Sequence, residues 1–333
     1  MKIVFMGTPD FSATVLEKLN SVYPVSAVVT APDKPIGRGY KLQPSALKVK
    51  AEELNIPVLQ YTKVSKEGLD DIKRLSPDVV ITAAFGQILS EEFLSIPKHG
   101  VFNVHASLLP KYRGSSPIQH AILNGEKETG ITIMRTVKAV DAGDMLLQKR
   151  TPIGEKETAG ELFDRLATLG GDAIVEAIAL IESGKAEFVK QDEALATHCS
   201  MISKADGKID FHLTAREIDC FVRGMSPWPS AYTTYREKIL KVFEIEIIDN
   251  STGNMPAVFK MAAEANSDYI GYCDILNCGT VVATDAKNGL VVSVETGAYF
   301  IRLKQIQLEG SKRMSDVEFL RGRSIELGTV LGR

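Results

Sequence analysis

Asn103 and His105 stand two residues apart at the end of the apolar segment Val101-Phe102-Asn103-Val104-His105. On a strand, side chains at that spacing share a face, so an amide and an imidazole converge on one point. Such a pair suits a reaction in which negative charge develops on a carbonyl oxygen, because both groups donate hydrogen bonds to a tetrahedral oxyanion. A carboxylate from further along the chain would favour the imidazolium and fix its tautomer, and Asp141 in Val140-Asp141-Ala142-Gly143-Asp144 is the candidate. Taken alone, a histidine after a strand is more often structural, and an aspartate in such a stretch is more often a turn residue.

The elements that would bring these residues together follow from hydrophobic periodicity. Residues 3–6, 25–29, 79–83, 101–104 and 131–134 read as short buried strands. Apolar residues recur at helical spacing over 11–19, 46–54, 67–75 and 118–123, and two helices, 159–169 and 172–183, are expected on either side of Gly170-Gly171. Alternation of this kind predicts an α/β domain with a Rossmann-like, mostly parallel sheet over residues 1–188. Charged and small residues then accumulate, so 189–206 reads as a linker. Over 207–333 the pattern changes to short strands at 231–235, 239–248, 269–272, 279–283, 289–295 and 299–307, which suggests a small β-barrel.

Composition sets outer bounds on function. The 333 residues are 44% hydrophobic and 24% charged with a mean hydropathy of zero, an ordinary folded composition, and the length favours two domains. A net charge of -3 argues against a globally basic nucleic-acid binder while leaving room for a local basic patch. The apolar run at the N-terminus breaks at Gly7, too early for a signal peptide, and no window holds the 18 or so apolar residues of a membrane span. Cys199, Cys220, Cys273 and Cys278 fit no zinc or redox spacing, so reduced thiols in a cytoplasm, and no metal, are the expectation. A dinucleotide fingerprint fails at Gly7-Thr8-Pro9-Asp10, which has one glycine where three are needed, and no triphosphate loop occurs. Thr8 and Pro9 read instead as a helix cap and a first-turn proline.

Three segments carry a family resemblance: Gly7-Thr8-Pro9-Asp10-Phe11; Asn103-Val104-His105-Ala106-Ser107-Leu108-Leu109-Pro110 with Tyr112-Arg113-Gly114; and Glu128-Thr129-Gly130-Ile131-Thr132 leading to Asp141-Ala142-Gly143-Asp144. With them the chain resembles the 10-formyltetrahydrofolate-dependent formyltransferases, in particular those that act on transfer RNA, over nearly its whole length. The resemblance implies direct transfer of a formyl group from N10 of the folate to an acceptor amine, with no covalent enzyme intermediate. It matches Asn103, His105 and Asp141 to the family's catalytic positions and Ser107, Leu108, Leu109 and Pro110 to its folate-contacting loop. Asn103 and protonated His105 would then stabilise the oxyanion, while Asp141 orients His105 and relays a proton.

The resemblance also implies methionyl-initiator tRNA as the acceptor, bound by a monomer. Residues 31–42, rich in proline and glycine, resemble the loop that reaches the acceptor stem, with Arg38 and Lys41, then Lys34, as the expected phosphate contacts. Where family members often carry two consecutive basic residues after Gly-Arg-Gly, this chain has Tyr40 and then Lys41, and a tyrosine can stack on a nucleobase. The second domain resembles the family's oligonucleotide-binding-like (OB-like) barrel, entered through Ser226-Pro227-Trp228-Pro229. With 15 lysines and arginines against 16 acids from Gly207 onward, it would need a one-sided cluster such as Arg302, Lys304, Lys312 and Arg313 to hold tRNA. Trp228 reads as a packing anchor. The alternatives are a folate formyltransferase acting on an amino sugar nucleotide or on glycinamide ribonucleotide, and a non-catalytic folate or RNA binder. The second domain counts against the glycinamide ribonucleotide reading.

Overall fold

The computed structural model describes residues 1–36, 41–249, 278–285, 287–294 and 299–332. They form two compact units, one of 1–118, 127–154 and 161–201, the other of 119–126, 155–160 and 202–333.

The chain begins with β1 (Ile3–Gly7), α1 (Asp10–Asn20), β2 (Val25–Thr30), the short pair β3 (Lys34–Ile36) and β4 (Lys41–Gln43), α2 (Ala46–Glu53) and β5 (Val58–Gln60). It continues through α3 (Val64–Glu67), α4 (Leu69–Leu75), β6 (Val79–Ala83), α5 (Glu91–Leu94), β7 (Val101–His105), β8 (Arg113–Gly114) and α6 (Pro117–Leu123). Then come β9 (Glu128–Arg135), β10 (Met145–Pro152), α7 (Ala159–Glu182) and β11 (His198–Cys199). Seven strands make one sheet in the order β10-β9-β7-β6-β1-β2-β5, parallel from β7 to β5 and antiparallel at β9 and β10. The continuous apolar runs of β1 and β6 are fully buried, as expected of central strands covered on both faces. Strand β10 escaped the sequence pattern because it lies at the sheet edge, half buried, with its three leading apolar residues followed by a polar run and no alternation.

One helix, α7, replaces the two expected around Gly170-Gly171. A β-carbon on Gly170 would lie 2.9 Å from Val104 Cγ1, and one on Gly171 would lie 2.7 Å from Lys18 Cβ. These glycines do not break the helix; they let it approach β7 and α1 closely, at about 1 kcal/mol each in helix propensity. Because Val104 faces α7, Asn103 and His105 face the other side of the sheet. At the start of α1, Pro9 is the cap position and Thr8 does not cap. The buried Ser12 hydroxyl instead accepts from Thr8 N at 2.9 Å and donates to Pro9 O at 2.6 Å.

The stretch expected to connect the domains is structured. Residues 189–201 belong to the first unit, and β11 pairs in parallel with β8 through His198↔Arg113 and Cys199↔Gly114.

The second unit carries α8 (Ala215–Gly224), β12 (Ala231–Tyr235), β13 (Lys238–Asp249), β14 (Val281–Asp285), β15 (Gly289–Ser293), β16 (Tyr299–Leu308), β17 (Met314–Ser315) and α9 (Asp316–Gly322). Its antiparallel sheet runs β12-β13-β16-β15-β14 with β17 on β16, a β-rich domain consistent with the OB-like expectation. The strand expected at 269–272 lies outside the described residues. Helix α8 lays Ile218 and Val222 into the same core as Leu240, Leu303 and Ile306. A capping box, Thr214 with Glu217, closes its N-terminus.

Candidate active site

Asn103 and His105 leave the carboxyl end of β7, and Asp141 comes from the loop between β9 and β10. The structure brings all three together. Asp141 Oδ1 accepts from Asn103 Nδ2 at 3.4 Å, and Asp141 Oδ2 lies 3.6 Å from His105 Nδ1. Both partners are secluded, with the His105 side chain 5% and the Asp141 side chain 15% exposed. Thr82 on β6, directly beside Asn103 in the register, donates its hydroxyl to Asn103 Oδ1 at 3.0 Å. The Asp141 carboxylate only accepts, so Nδ2 must face it, and the Thr82 bond steadies the Oδ1 end of the amide.

The tautomer of His105 is set differently from expectation. Its Nε2 lies 2.9 Å from the backbone carbonyl of Tyr112, a group that only accepts, so Nε2 carries a proton. Nδ1 is therefore the nitrogen that gains or loses a proton, and it is the one that faces Asp141.

Asp141 has φ 49°, in the left-handed region an L residue enters at a cost of about 1–2 kcal/mol. Its Oδ2 also accepts from Gly114 N at 2.9 Å. Two residues on, a β-carbon at Gly143 would lie 1.7 Å from the Arg135 carbonyl, so only glycine lets the loop fold back on β9. The backbone carbonyls of Asp141 and Gly143 both accept from Gln191 Nε2, each at 2.8 Å. Gln191 lies in the stretch read as a linker, and nothing in the local sequence pattern pointed to it.

The loop matched to folate contact is tied down from inside. Thr132 Oγ1 donates to Ser107 O at 2.7 Å and accepts from Leu109 N at 3.1 Å. Gln148, its register partner on β10, donates to Leu109 O at 2.8 Å. Ser107 and Leu109 are buried, and the Ser107 hydroxyl is spent on Lys111 O at 2.6 Å. Leu108 and Pro110 are half-buried and so keep surface for a ligand. Nearby, the Cys199 thiol lies 3.5 and 3.4 Å from the carbonyls of Tyr112 and Arg113, and burial pushes its pKa up, which keeps it a thiol rather than a nucleophile.

A family profile described as formyl transferase matches residues 1–178, and one described as formyl transferase, C-terminal domain, matches residues 201–324. The chain belongs to the formyl transferase family. Curated relatives named methionyl-tRNA formyltransferase include one from Clostridioides difficile (strain 630), 42% identical over 100% of both chains. Another, from Geobacter sulfurreducens, is 41% identical over 100% of this chain and 97% of the relative. Among solved structures, a sugar 3N-formyl transferase in the presence of dTDP and 5-N-formyl-THF aligns with a TM-score of 0.62 at 21% identity, covering 94% of this chain and 99% of the other. An N-formyltransferase from Helicobacter canadensis in complex with folinic acid and dTDP-3-aminofucose gives 0.63 at 21%, over 91% and 99%. At those identities the structures share the fold.

In this formyl transferase the cations expected to meet tRNA lie on two paired strands, β3 and β4, or between them in sequence. Lys34 is exposed on β3, Lys41 lies on β4, and Arg38 and Tyr40 lie outside the described residues. The one acid in that stretch, Asp33, is neutralised by Lys48, whose Nζ lies 2.9 Å away. Hydrogen bonds from Lys48 and Gln60 hold its carboxyl below the usual range. In the second unit the expected cluster loses a member: Arg302 pairs with the buried Asp316, whose Oδ2 lies 2.7 Å away. Lys304 is paired with Glu244 at 3.0 Å, and the Arg313 guanidinium stacks 4.4 Å from the Phe243 ring centre. Trp228 is 51% exposed rather than a buried anchor. Among the described residues, no helix is long and apolar enough to cross a membrane.

Proposed function

We propose that this formyl transferase moves the formyl group of 10-formyltetrahydrofolate to the amino group of methionyl-initiator tRNA, acting as a cytoplasmic monomer with Asn103, His105 and Asp141 as its catalytic groups. The observation that carries the reading is full-length identity of 41–43% to curated methionyl-tRNA formyltransferases. The site chemistry supports it independently. Attack of a neutral amine on the formyl carbon places negative charge on the formyl oxygen, and the N10 nitrogen must gain a proton to leave.

Asn103 answers the first need. Thr82 and Asp141 orient its amide and leave one Nδ2 proton for the oxyanion. A donor of this kind is typically worth about 3–4 kcal/mol of barrier. His105 answers through Nδ1, since Nε2 is committed to Tyr112 O. As imidazolium it donates to the oxyanion, and Asp141 stabilises that charge and relays the proton that the attacking amine loses to the departing N10 nitrogen. Leu108 and Pro110 contact the folate on a loop whose backbone is already ordered by Thr132 and Gln148, so binding orders little more of the chain. Because Cys199 stays protonated, the nearest thiol offers no competing acyl acceptor, in keeping with direct transfer.

Incubating the protein with 10-formyltetrahydrofolate and, separately, methionyl-initiator tRNA or an amino sugar nucleotide tests the reading. Formylation of the tRNA alone is the expected result; formylation of the sugar alone overturns it.

A further inference from the structure

Gln191 makes three side-chain hydrogen bonds, none of them to the side chains of Asn103, His105 or Asp141. Its Nε2 donates to Asp141 O and Gly143 O, and its Oε1 accepts from Arg113 Nε at 3.0 Å. The Arg113 fork continues to Glu193, with Nη1 at 3.0 Å and Nη2 at 2.8 Å from its two carboxylate oxygens. The Arg113 side chain is 4% exposed, so its charge is compensated within the protein. The amide of Gln191 can sit only one way round. Reversed, it would set its oxygen against two carbonyls and its NH2 against a guanidinium.

The two ends of this chain of bonds meet at one carboxylate. Arg113 is followed by Gly114, whose N–H donates to Asp141 Oδ2, while Gln191 holds Asp141 by its own carbonyl. The residues around them are fastened in the same way: Arg113 N donates to Thr197 O at 2.8 Å, Tyr112 N to Thr197 Oγ1 at 2.8 Å, and Thr197 N to Pro110 O at 3.2 Å. Tyr112 in turn presents the carbonyl that holds His105 Nε2. One short segment, 191–199, thereby fixes both members of the His105 and Asp141 pair. An aspartate in the left-handed region persists only where its surroundings over-determine it, and the Gln191 amide supplies two of the bonds that do so at its loop.

We propose that Gln191 is a positioning residue for formyl transfer, an inference that rests on the catalytic reading of Asp141. Acting from behind the loop, its amide keeps the Asp141 carboxylate across from His105 Nδ1 without meeting either substrate. A displacement of about 1 Å at such a pair costs up to 100-fold in rate.

The experiment compares Gln191→Ala and the isosteric Gln191→Glu with Asp141→Asn. Ala51→Gly in α2 serves as a control for lost stability alone. Both Gln191 variants are expected to lower kcat about 10- to 100-fold with KM for folate and for tRNA within about three-fold of wild type. In 15N-histidine spectra the His105 ring signals are expected to move in both, and to stay in place in Ala51→Gly. Should Gln191→Ala not fold, Gln191→Glu decides, because its carboxylate can still pair with Arg113 while it repels the two carbonyls. Wild-type kcat in Gln191→Glu, or an unmoved His105 signal, overturns the proposal. Wild-type kcat in Asp141→Asn would instead overturn the catalytic reading itself.

Discussion

Thr82 and Asn103 are neighbours across the β6–β7 pair, and the 3.0 Å bond from the Thr82 hydroxyl to Asn103 Oδ1 steadies the amide whose Nδ2 faces Asp141. Replacing that hydroxyl by a methyl, in Thr82→Val, removes the bond that holds the Oδ1 end of the amide opposite Asp141. We expect kcat to fall about ten-fold while KM for folate holds, with Thr82→Ser restoring most of the rate. Steady-state kinetics check this, and an unchanged kcat in Thr82→Val would show that the bond does not orient the catalytic amide.

His105→Ala and Asp141→Ala are expected to lower turnover at least 100-fold, within the range for losing a positioned acid or base, and to leave folate affinity within a few-fold. Single-turnover rates together with equilibrium binding of the folate separate the two effects. Near-normal rates in either variant would remove that residue from the chemistry.

Lys34, Arg38 and Lys41 stand in a stretch whose one acid is already taken by Lys48. Replacing all three by glutamine should raise the apparent KM for tRNA and flatten its salt dependence. Each lost phosphate contact should lower the slope of log affinity against log salt by about 0.7–0.9. The slope should be measured over a salt titration; if it does not change, this stretch is not at the phosphates.

Arg113 lowers the pKa of Glu193 by hydrogen bonding. A carboxyl depressed on folding adds stability that is fully present above the ordinary glutamate value of about 4.3 and is lost as pH falls through the lowered one. The contribution is small, because Glu193 is 71% exposed. Thermal midpoints of wild type and Glu193→Gln should therefore differ by a constant amount at neutral pH and converge below about pH 4. A gap that widens in acid would contradict the assignment.

The parts of the site that were legible in the sequence are those carried by local pattern. Asn103 and His105 stood out through two-residue spacing at the end of an apolar run, and Asp141 through a family segment. Thr82, Gln191 and the Tyr112 carbonyl did not, for physical reasons. Thr82 is 21 residues from its partner and meets it only through strand register. Gln191 is 50 residues from the carbonyl it holds, in a polar stretch with no periodicity. A backbone carbonyl is common to every residue, so no residue type can advertise it. The same division holds for the fold. Buried parallel strands were readable as apolar runs, whereas the edge strand β10 lacks the alternation that marks a half-buried strand, and Gly170-Gly171 looked like a break because the close approach that needs them is tertiary.

The fastening of residues 191–199 along β8 bears on how such a chain can be divided or recombined. A domain exchange with a relative, spliced at residue 188 on the strength of composition, would carry off Gln191, Glu193 and Thr197 with the wrong partner. It would leave the aspartate loop of one parent to be held by the segment of another. The seam that respects the bonding lies after Met201, so the natural unit of inheritance for the catalytic chemistry includes a stretch that looks, letter by letter, like the thread between two domains.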